Sequence, residues 1–343
     1  MSRSEVSLRQ VTVLTVAALL APGVDLLPGA TARASGATGW LAPLLMLPIL
    51  LLWVAALSSL LADGRDLRTA LRQGLGPFLG RTAILLYILW GVLALSAQLA
   101  RSSARLGVVY GTGVGQVLAL LPLLLALWTG GKGPAALCRT GELFWLALGV
   151  SVVAITALSL PQMKLGRLWP AWREWGGLPR AGLVCLGAAG PAVFGAALAG
   201  GGQGGRKSRR RLLGWTAVLC GLLTLLLGVI AGQVGVQLTA KLNHPFFIMV
   251  QGLSLEGAVA RLEALVGALW LMADFCYAGL LLAGMEGLVG ERAGRAVMAA
   301  TAVIAALGQG WLSWEWGVEL GGLILGVGLP LILWCVCKVR KGG

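Results

Sequence analysis

The sequence has few charged residues and no stretch that is polar and long enough to form a soluble domain. Asp and Glu together number 13 and there is one histidine, whereas hydrophobic residues make up 58% of the 343 positions. This leaves few candidates for acid-base catalysis, and His244 has no metal-ligand partner at a usual spacing. We therefore predict that the protein is not an enzyme, has no catalytic residues, and uses no metal or cofactor.

Cysteine is also too scattered to organise the fold. The six cysteines lie mostly within apolar segments, and none belongs to a Cys-x-x-Cys pair. Disulfide frameworks and zinc sites depend on cysteines at characteristic spacings, so we predict neither.

Apolar runs of membrane-spanning length recur from end to end, and the mean hydropathy is +0.87. A helix needs about 20 apolar residues to cross the hydrocarbon core. We therefore predict an all-α integral membrane protein with ten transmembrane helices in one polytopic domain, residues 1–343. The first apolar run is longer than the core of a signal peptide, so we expect it to stay uncleaved. The predicted spans are 8–29, 40–62, 81–104, 114–130, 139–160, 181–201, 212–234, 262–288, 295–312 and 318–337.

The distribution of basic residues predicts the orientation. With the N-terminus inside, 18 of the 27 Lys and Arg residues lie on the inner side, and the remaining nine, Arg101 and Arg105 among them, lie on the outer side. The positive-inside rule then places both termini in the cytoplasm. The run GGGQGGRKSRRR is predicted to be a flexible inner loop whose arginines contact anionic membrane lipid, and we expect no nucleic-acid partner despite a net charge of +14.

Two spans carry helix-breaking residues near their centres or ends. The first contains PGVDLLPG, from Pro22 to Gly29, and the sixth contains LGAAGPAVFGAALAGGG around Pro191. Proline removes a backbone donor and glycine weakens a helix, so both spans should be interrupted. Two interrupted spans, five apart in a set of ten, predict a five-plus-five inverted repeat, about 8–160 and about 181–337, with a substrate site where the breaks meet.

The breaks suggest the chemistry of that site. Freed amides at a half-helix N-terminus suit a carboxylate, and freed carbonyls suit an ammonium group or a cation, a combination that fits a free amino acid. The alternative is that the small residues only allow close helix packing. The candidate backbone positions are Pro22, Gly23, Pro28, Gly190 and Gly195.

Two carboxylates add to this candidate site. Asp25 lies in the first break and Asp274 near the centre of the eighth span, a depth at which an unpaired carboxylate is costly. The pair could hold a cation, a proton or a substrate amine. The alternative is two separate carboxyls that are protonated or hydrogen-bonded.

The segment 235–261, which contains HPFF, is predicted to form a helical hairpin on the outer face and is a candidate lid.

Several motifs occur in a characteristic order along the chain. They are LPG and SGATGW between Leu27 and Trp40, LGPFLGRTAILLYILW from Leu75, RTGELF from Arg139, RLWP ending at Pro170, HPF from His244 and RLEALVGALW from Arg261. In this order they resemble the spore germination permease family. Its members are the integral-membrane B subunits of germinant receptors and belong to the amino acid, polyamine and organocation transporter superfamily.

The resemblance implies a multi-pass protein of the spore inner membrane that senses a small nutrient, commonly an amino acid, together with an A-type and a lipoprotein C-type subunit. Family members tend to carry an acidic residue after a Phe-Gly pair in the sixth span and a lysine near the position of Tyr277. Both are missing here and Asp274 lies nearby, so ligand identity does not carry over, and Tyr277 joins Asp274 as a candidate ligand contact.

Three functions are consistent with these features. The first is a receptor subunit that binds an amino acid in a transporter fold and signals germination. The second is a proton- or sodium-coupled amino-acid transporter. A pore for water or small ions is the third, and the sequence offers few residues to line one.

Overall fold

The computed structural model describes residues 6–61, 66–169, 175–198, 206–253, 262–308 and 314–342. The regular elements within these ranges are all helical. Nine helical segments are long and apolar enough to cross a membrane, and Ala293–Gly308 is a shorter apolar helix. The protein is therefore an all-α integral membrane protein, and the arrangement of ten spans as two inverted repeats in a single domain stays a prediction.

The helices follow the predicted spans closely, with additional short helices between them. The α-helices are α1 (Leu8–Asp25), α2 (Leu27–Ser35), α3 (Ala42–Leu60), α4 (Leu67–Leu75), α5 (Pro77–Tyr110), α6 (Thr112–Gly131), α7 (Pro134–Ser159), α8 (Leu178–Ala189), α9 (Val193–Leu198), α10 (Arg206–Val234), α11 (Val236–Lys241), α12 (Pro245–Gln251), α13 (Leu262–Val289), α14 (Glu291–Gly308), α15 (Glu315–Gly321) and α16 (Leu329–Gly342). A 3-10 turn, Gly190–Ala192, joins α8 to α9, and a π-helical stretch, Gly322–Gly328, joins α15 to α16.

The interruption of the first span is smaller than the sequence predicts. Leu26 alone separates α1 from α2. Its amide donates to the Pro22 carbonyl at 2.9 Å, and its carbonyl accepts from the Ala30 amide at 3.1 Å. Pro28 lies at the start of α2, where a missing backbone donor costs little. The first span is therefore kinked, and Leu26 keeps the hydrogen bonds that unwinding would have freed for a ligand.

The interruption of the sixth span lies against the last span. A Cβ atom built on Gly190 would come within 2.5 Å of the Gly322 Cα atom, and one built on Gly322 would overlap the Gly187 carbonyl. Only glycine allows the two backbones to approach this closely. At Gly190 the structure thus agrees with the packing alternative.

Aromatic side chains donate hydrogen bonds to backbone carbonyls of the last span, which contains the π-helical stretch. The Trp53 indole donates to the Gly326 carbonyl at 3.0 Å, and the Tyr87 hydroxyl donates to the Leu325 carbonyl at 2.6 Å. The Trp90 indole donates to a carbonyl of α15 at 3.1 Å. Since an unpaired backbone group is costly in hydrocarbon, Trp53 and Tyr87 stabilise the π-helical stretch and fix it to α3 and α5, while Trp90 fixes the adjacent α15 to α5.

Two helices extend beyond their predicted ends. α5 continues to Tyr110, so Arg105 lies within the same membrane-spanning helix as Arg101 and not in the connection that follows the predicted span 81–104. α10 begins at Arg206, so RKSRRR forms its first turns, while 199–205 lie outside the described residues. Neither correction follows from hydropathy, because charged residues end an apolar run without ending a helix.

The segment predicted as an outer hairpin contains α11 and α12, and its remainder, 254–261, lies outside the residues that the structure describes. α12 buries most of its apolar side chains: Phe246, Phe247, Met249 and Val250 are buried, whereas Ile248 is exposed. The Phe246 ring lies 4.9 Å from the Trp270 ring of α13. α12 is thus packed onto the bundle.

Candidate functional site

One face of α5 carries a row of buried polar side chains. Gln98, Arg101, Ser102 and Arg105 are spaced at i, i+3, i+4 and i+7, which places them on one side of the helix. All four are at most 9% exposed. A polar stripe on a membrane-spanning helix must find partners on neighbouring helices, because lipid offers none.

Arg105 is the centre of these contacts. Its guanidinium pairs with Asp25 at the end of α1 and with Asp274 in α13. The side chains of Arg105 and Asp25 are 0% exposed and that of Asp274 is 5% exposed. The structure therefore brings the two predicted carboxylates to one place, with a guanidinium of the protein itself between them. We name this group, Asp25, Arg105 and Asp274, the charge cluster.

Asp274 has further donors on α5. Gln98 Nε2 donates to its Oδ1 atom at 2.9 Å, and Ser102 Oγ donates to its Oδ2 atom at 2.7 Å. Arg101 in turn donates to Gln98 Oε1 at 3.0 Å. Two guanidinium groups thus balance two carboxylates within this polar network, which keeps the net charge of the buried region near zero when His244 is neutral.

α12 covers the charge cluster. The Phe247 ring lies 5.6 Å from the Arg105 guanidinium carbon, within the range of a cation–π contact. His244, which precedes α12, places its Nδ1 atom 3.9 Å from Asp25 Oδ1, beyond hydrogen-bond distance. Burial, together with the charges of Arg105 and Arg101, lowers the pKa of His244 to about 4, so the imidazole is neutral at pH 7.

The charge cluster is not fully satisfied. Within the described part of the chain, Asp25 Oδ1, Arg105 Nε and His244 Nδ1 are buried and have no hydrogen-bond partner. Buried polar atoms of this kind are rare in folded proteins, and each costs about 1 to 3 kcal/mol. One acceptor, one donor and one imidazole nitrogen are therefore available to a polar ligand.

An apolar cavity of about 550 Å³ lies on another side of α1. It is bounded by α1, α3, α10 and the segment from α8 to α9, and Gly23 and Gly195 line it. The eight predicted ligand-binding residues divide among three places. Asp25, Asp274 and Tyr277, one turn further along α13, lie at or next to the charge cluster, Gly23 and Gly195 line the cavity, and Pro22, Pro28 and Gly190 are packed within the helices.

Sequence reasoning missed the residues that join the two carboxylates. The sequence predicts Arg101 and Arg105 on the outer side and His244 within the outer hairpin 235–261. The signal was present in QLARSSAR, where polar residues recur at helical spacing directly after an apolar run. Of the residues described, no group of three or more His, Cys, Asp or Glu side chains is placed to hold a metal ion.

Comparison with known proteins agrees with the motifs. A family model described as "Spore germination protein" matches residues 5–177, about half of the chain. The motifs HPF and RLEALVGALW lie beyond this match. A search of curated proteins finds no match. The matched family consists of permease-like germination proteins and is not an enzyme family. This multi-pass membrane protein therefore belongs to the spore germination permease family.

Proposed function

We propose that the protein is the integral-membrane subunit of a germinant receptor and binds a small amino acid at the charge cluster. In this proposal it lies in the spore inner membrane with both termini in the cytoplasm, and it signals to an A-type and a lipoprotein C-type subunit. The observation that supports it best is the set of buried, complementary charges on α1, α5 and α13 beneath α12.

Charge balance favours a zwitterion as the ligand. The carboxylate of an amino acid competes for Arg105, and its ammonium group competes for Asp25 and Asp274. Because the ligand carries one charge of each sign, its entry leaves the net charge of the buried region unchanged. A lone cation or anion would add an uncompensated charge to a region from which water is excluded, which is costly.

The same contacts supply a route for signalling. Arg105 ties α1 to α13, and its contact with Phe247 links that pair to α12. A ligand that takes over the partners of Arg105 binds better to a state in which these helices and α12 have separated. The difference in affinity between the two states then shifts the population towards the open one.

The Arg105 guanidinium also bears on whether the protein is a proton- or sodium-coupled amino-acid transporter. A soluble sodium ion or proton is needed between two carboxylates only when nothing else neutralises them. Here Arg105 fills that position and belongs to the chain. This supports a sensor that works without a coupling ion over an ion-driven transporter.

The test is equilibrium binding and uptake of radiolabelled glycine, alanine, serine and valine by the full chain in liposomes, with and without proton and sodium gradients. We expect saturable binding without accumulation, and loss of that binding in Arg105→Met and Asp274→Asn. Glu142→Gln is the matched control, because Glu142 pairs with Arg9 outside the charge cluster.

Gradient-driven accumulation would establish the transporter instead. If both Arg105→Met and Asp274→Asn still bind the amino acid, the ligand site does not lie at the charge cluster. Co-purification with A-type and C-type subunits, and its loss on amino-acid binding, would test the signalling step separately.

A further inference from the structure

The apolar cavity is elongated along the helices and open at one end. Along α1 and the start of α2 its lining extends from Leu8 to Leu27, a distance of about 28 Å at the helical rise per residue. The lining residues Gly23, Leu27 and Leu223 are buried, whereas Thr12, Ser58 and Ser59 are partly or fully exposed. The cavity thus closes near the kink in the first span and opens near the start of α1.

The lining offers almost no polar partner. Its hydroxyl groups donate to carbonyls of their own helices, at 2.7 Å for Thr12, 2.7 Å for Thr15, 2.6 Å for Ser58 and 2.9 Å for Thr216. A zwitterion would find nothing there to replace its hydration, and water finds few hydrogen-bond donors. Apolar cavities of this kind stay dry, and an empty one leaves its lining without van der Waals contacts.

The open end carries positive charge. Arg209 is the one formally charged residue among the cavity-lining residues that the structure describes, and it lies in the first turns of α10. Arg210 and Arg211 follow it, and all three are exposed. An elongated apolar cavity with a cation at its open end is complementary to a hydrocarbon chain that ends in an anionic group.

We propose that this cavity binds one acyl chain of an anionic phospholipid, with the headgroup on Arg209. The surrounding bilayer supplies the chain, so the cavity is filled without a soluble carrier. Because two faces of the cavity are formed by α1 and α9, the lipid contacts the kinked first span from the side that does not face the charge cluster. This site is independent of the amino-acid site proposed above.

The test is retention of phosphatidylglycerol by the full chain in detergent, measured by native mass spectrometry and compared with phosphatidylcholine and with free oleate. We expect one tightly held phosphatidylglycerol. Ser58→Phe, which fills the open end, should abolish it, and Arg209→Gln should weaken it about fivefold, as expected for the loss of one surface cation. Arg210→Gln is the matched control, since Arg210 carries the same charge but does not line the cavity.

Several outcomes would overturn the assignment. If Arg209→Gln and Arg210→Gln lose phosphatidylglycerol retention equally, the lipid is attracted only to a basic surface and not to the cavity. Equal retention of phosphatidylcholine would remove the role of the headgroup, and retention of oleate in preference to phosphatidylglycerol would make the ligand a free fatty acid. If Ser58→Phe does not fold, the two arginine variants decide the matter, because both residues are exposed.

Discussion

Replacing Arg105 with methionine keeps an extended side chain but removes the cation shared by Asp25 and Asp274. Breaking a buried ion pair by removing one partner costs about 3 to 5 kcal/mol, because the remaining charge is left uncompensated. Asp274 keeps donors from Gln98 and Ser102. The loss therefore falls mainly on Asp25, whose Oδ1 atom already has no partner among the described residues. We expect the free energy of unfolding to fall by about 3 to 5 kcal/mol, measured by denaturant titration in mixed micelles.

Three further variants decide whether an uncompensated buried charge causes the loss of stability in Arg105→Met. Arg105→Lys keeps one cation and should lose less stability than Arg105→Met. Adding Asp25→Asn to Arg105→Met removes the uncompensated charge and should restore part of the loss, whereas Asp25→Asn alone should destabilise the protein. An Arg105→Met protein within 1 kcal/mol of the wild type, or a double variant with no recovery, would refute the reasoning.

Three other predictions test separate features. Gly322→Ala should destabilise the protein by about 1 to 3 kcal/mol through overpacking, while Gly221→Ala, where a Cβ atom meets nothing within 4 Å, should not. Tyr87→Phe should cost about 1 kcal/mol in the same unfolding titration, because it leaves a carbonyl of the π-helical stretch unpaired, and an unchanged value would argue against that hydrogen bond. The pKa of His244 is about 4 in the closed state against 6.5 ordinarily, so protons bind the open state better below pH 6.5. The stability of the closed α12 should therefore decrease as the pH falls from about 6.5 to 4, by up to about 3 kcal/mol. Hydrogen exchange of the α12 amides, corrected for intrinsic rates, should show this decrease in the wild type and no such decrease in His244→Gln.

Hydropathy was enough to predict the membrane class and the approximate positions of the nine membrane-spanning helices among the described residues, because the bilayer imposes one length on all of them. It failed at the ends of helices. α5 continues past Arg101 and Arg105, since the Arg105 charge is neutralised by Asp25 and Asp274, which lie on helices that are distant in sequence. No local pattern reports such a partner.

The sequence predicted only part of the candidate site, because the partners of its residues are also distant in sequence. The cost of a buried carboxylate singled out Asp25 and Asp274 without any knowledge of their partner. The proline and glycine pattern correctly marked where the first span is interrupted, between Asp25 and Leu27, but it overestimated how far the backbone unwinds. At Leu26 the hydrogen bonds to Pro22 and Ala30 are retained, which depends on backbone geometry that the residue types leave open.

The length of α5 has a mechanical consequence. Its 34 residues extend about 51 Å, whereas the hydrocarbon core is about 30 Å thick. The charge cluster is held near one end, and the other end meets α4 at Gly76, whose φ of 87° breaks the helix. A rigid rod that tilts by about 5° around its middle moves each end by about 2 Å in opposite directions. α5 can therefore act as a lever. A displacement of the charge cluster at one end tilts this single helix and moves its other end, at the opposite face of the membrane.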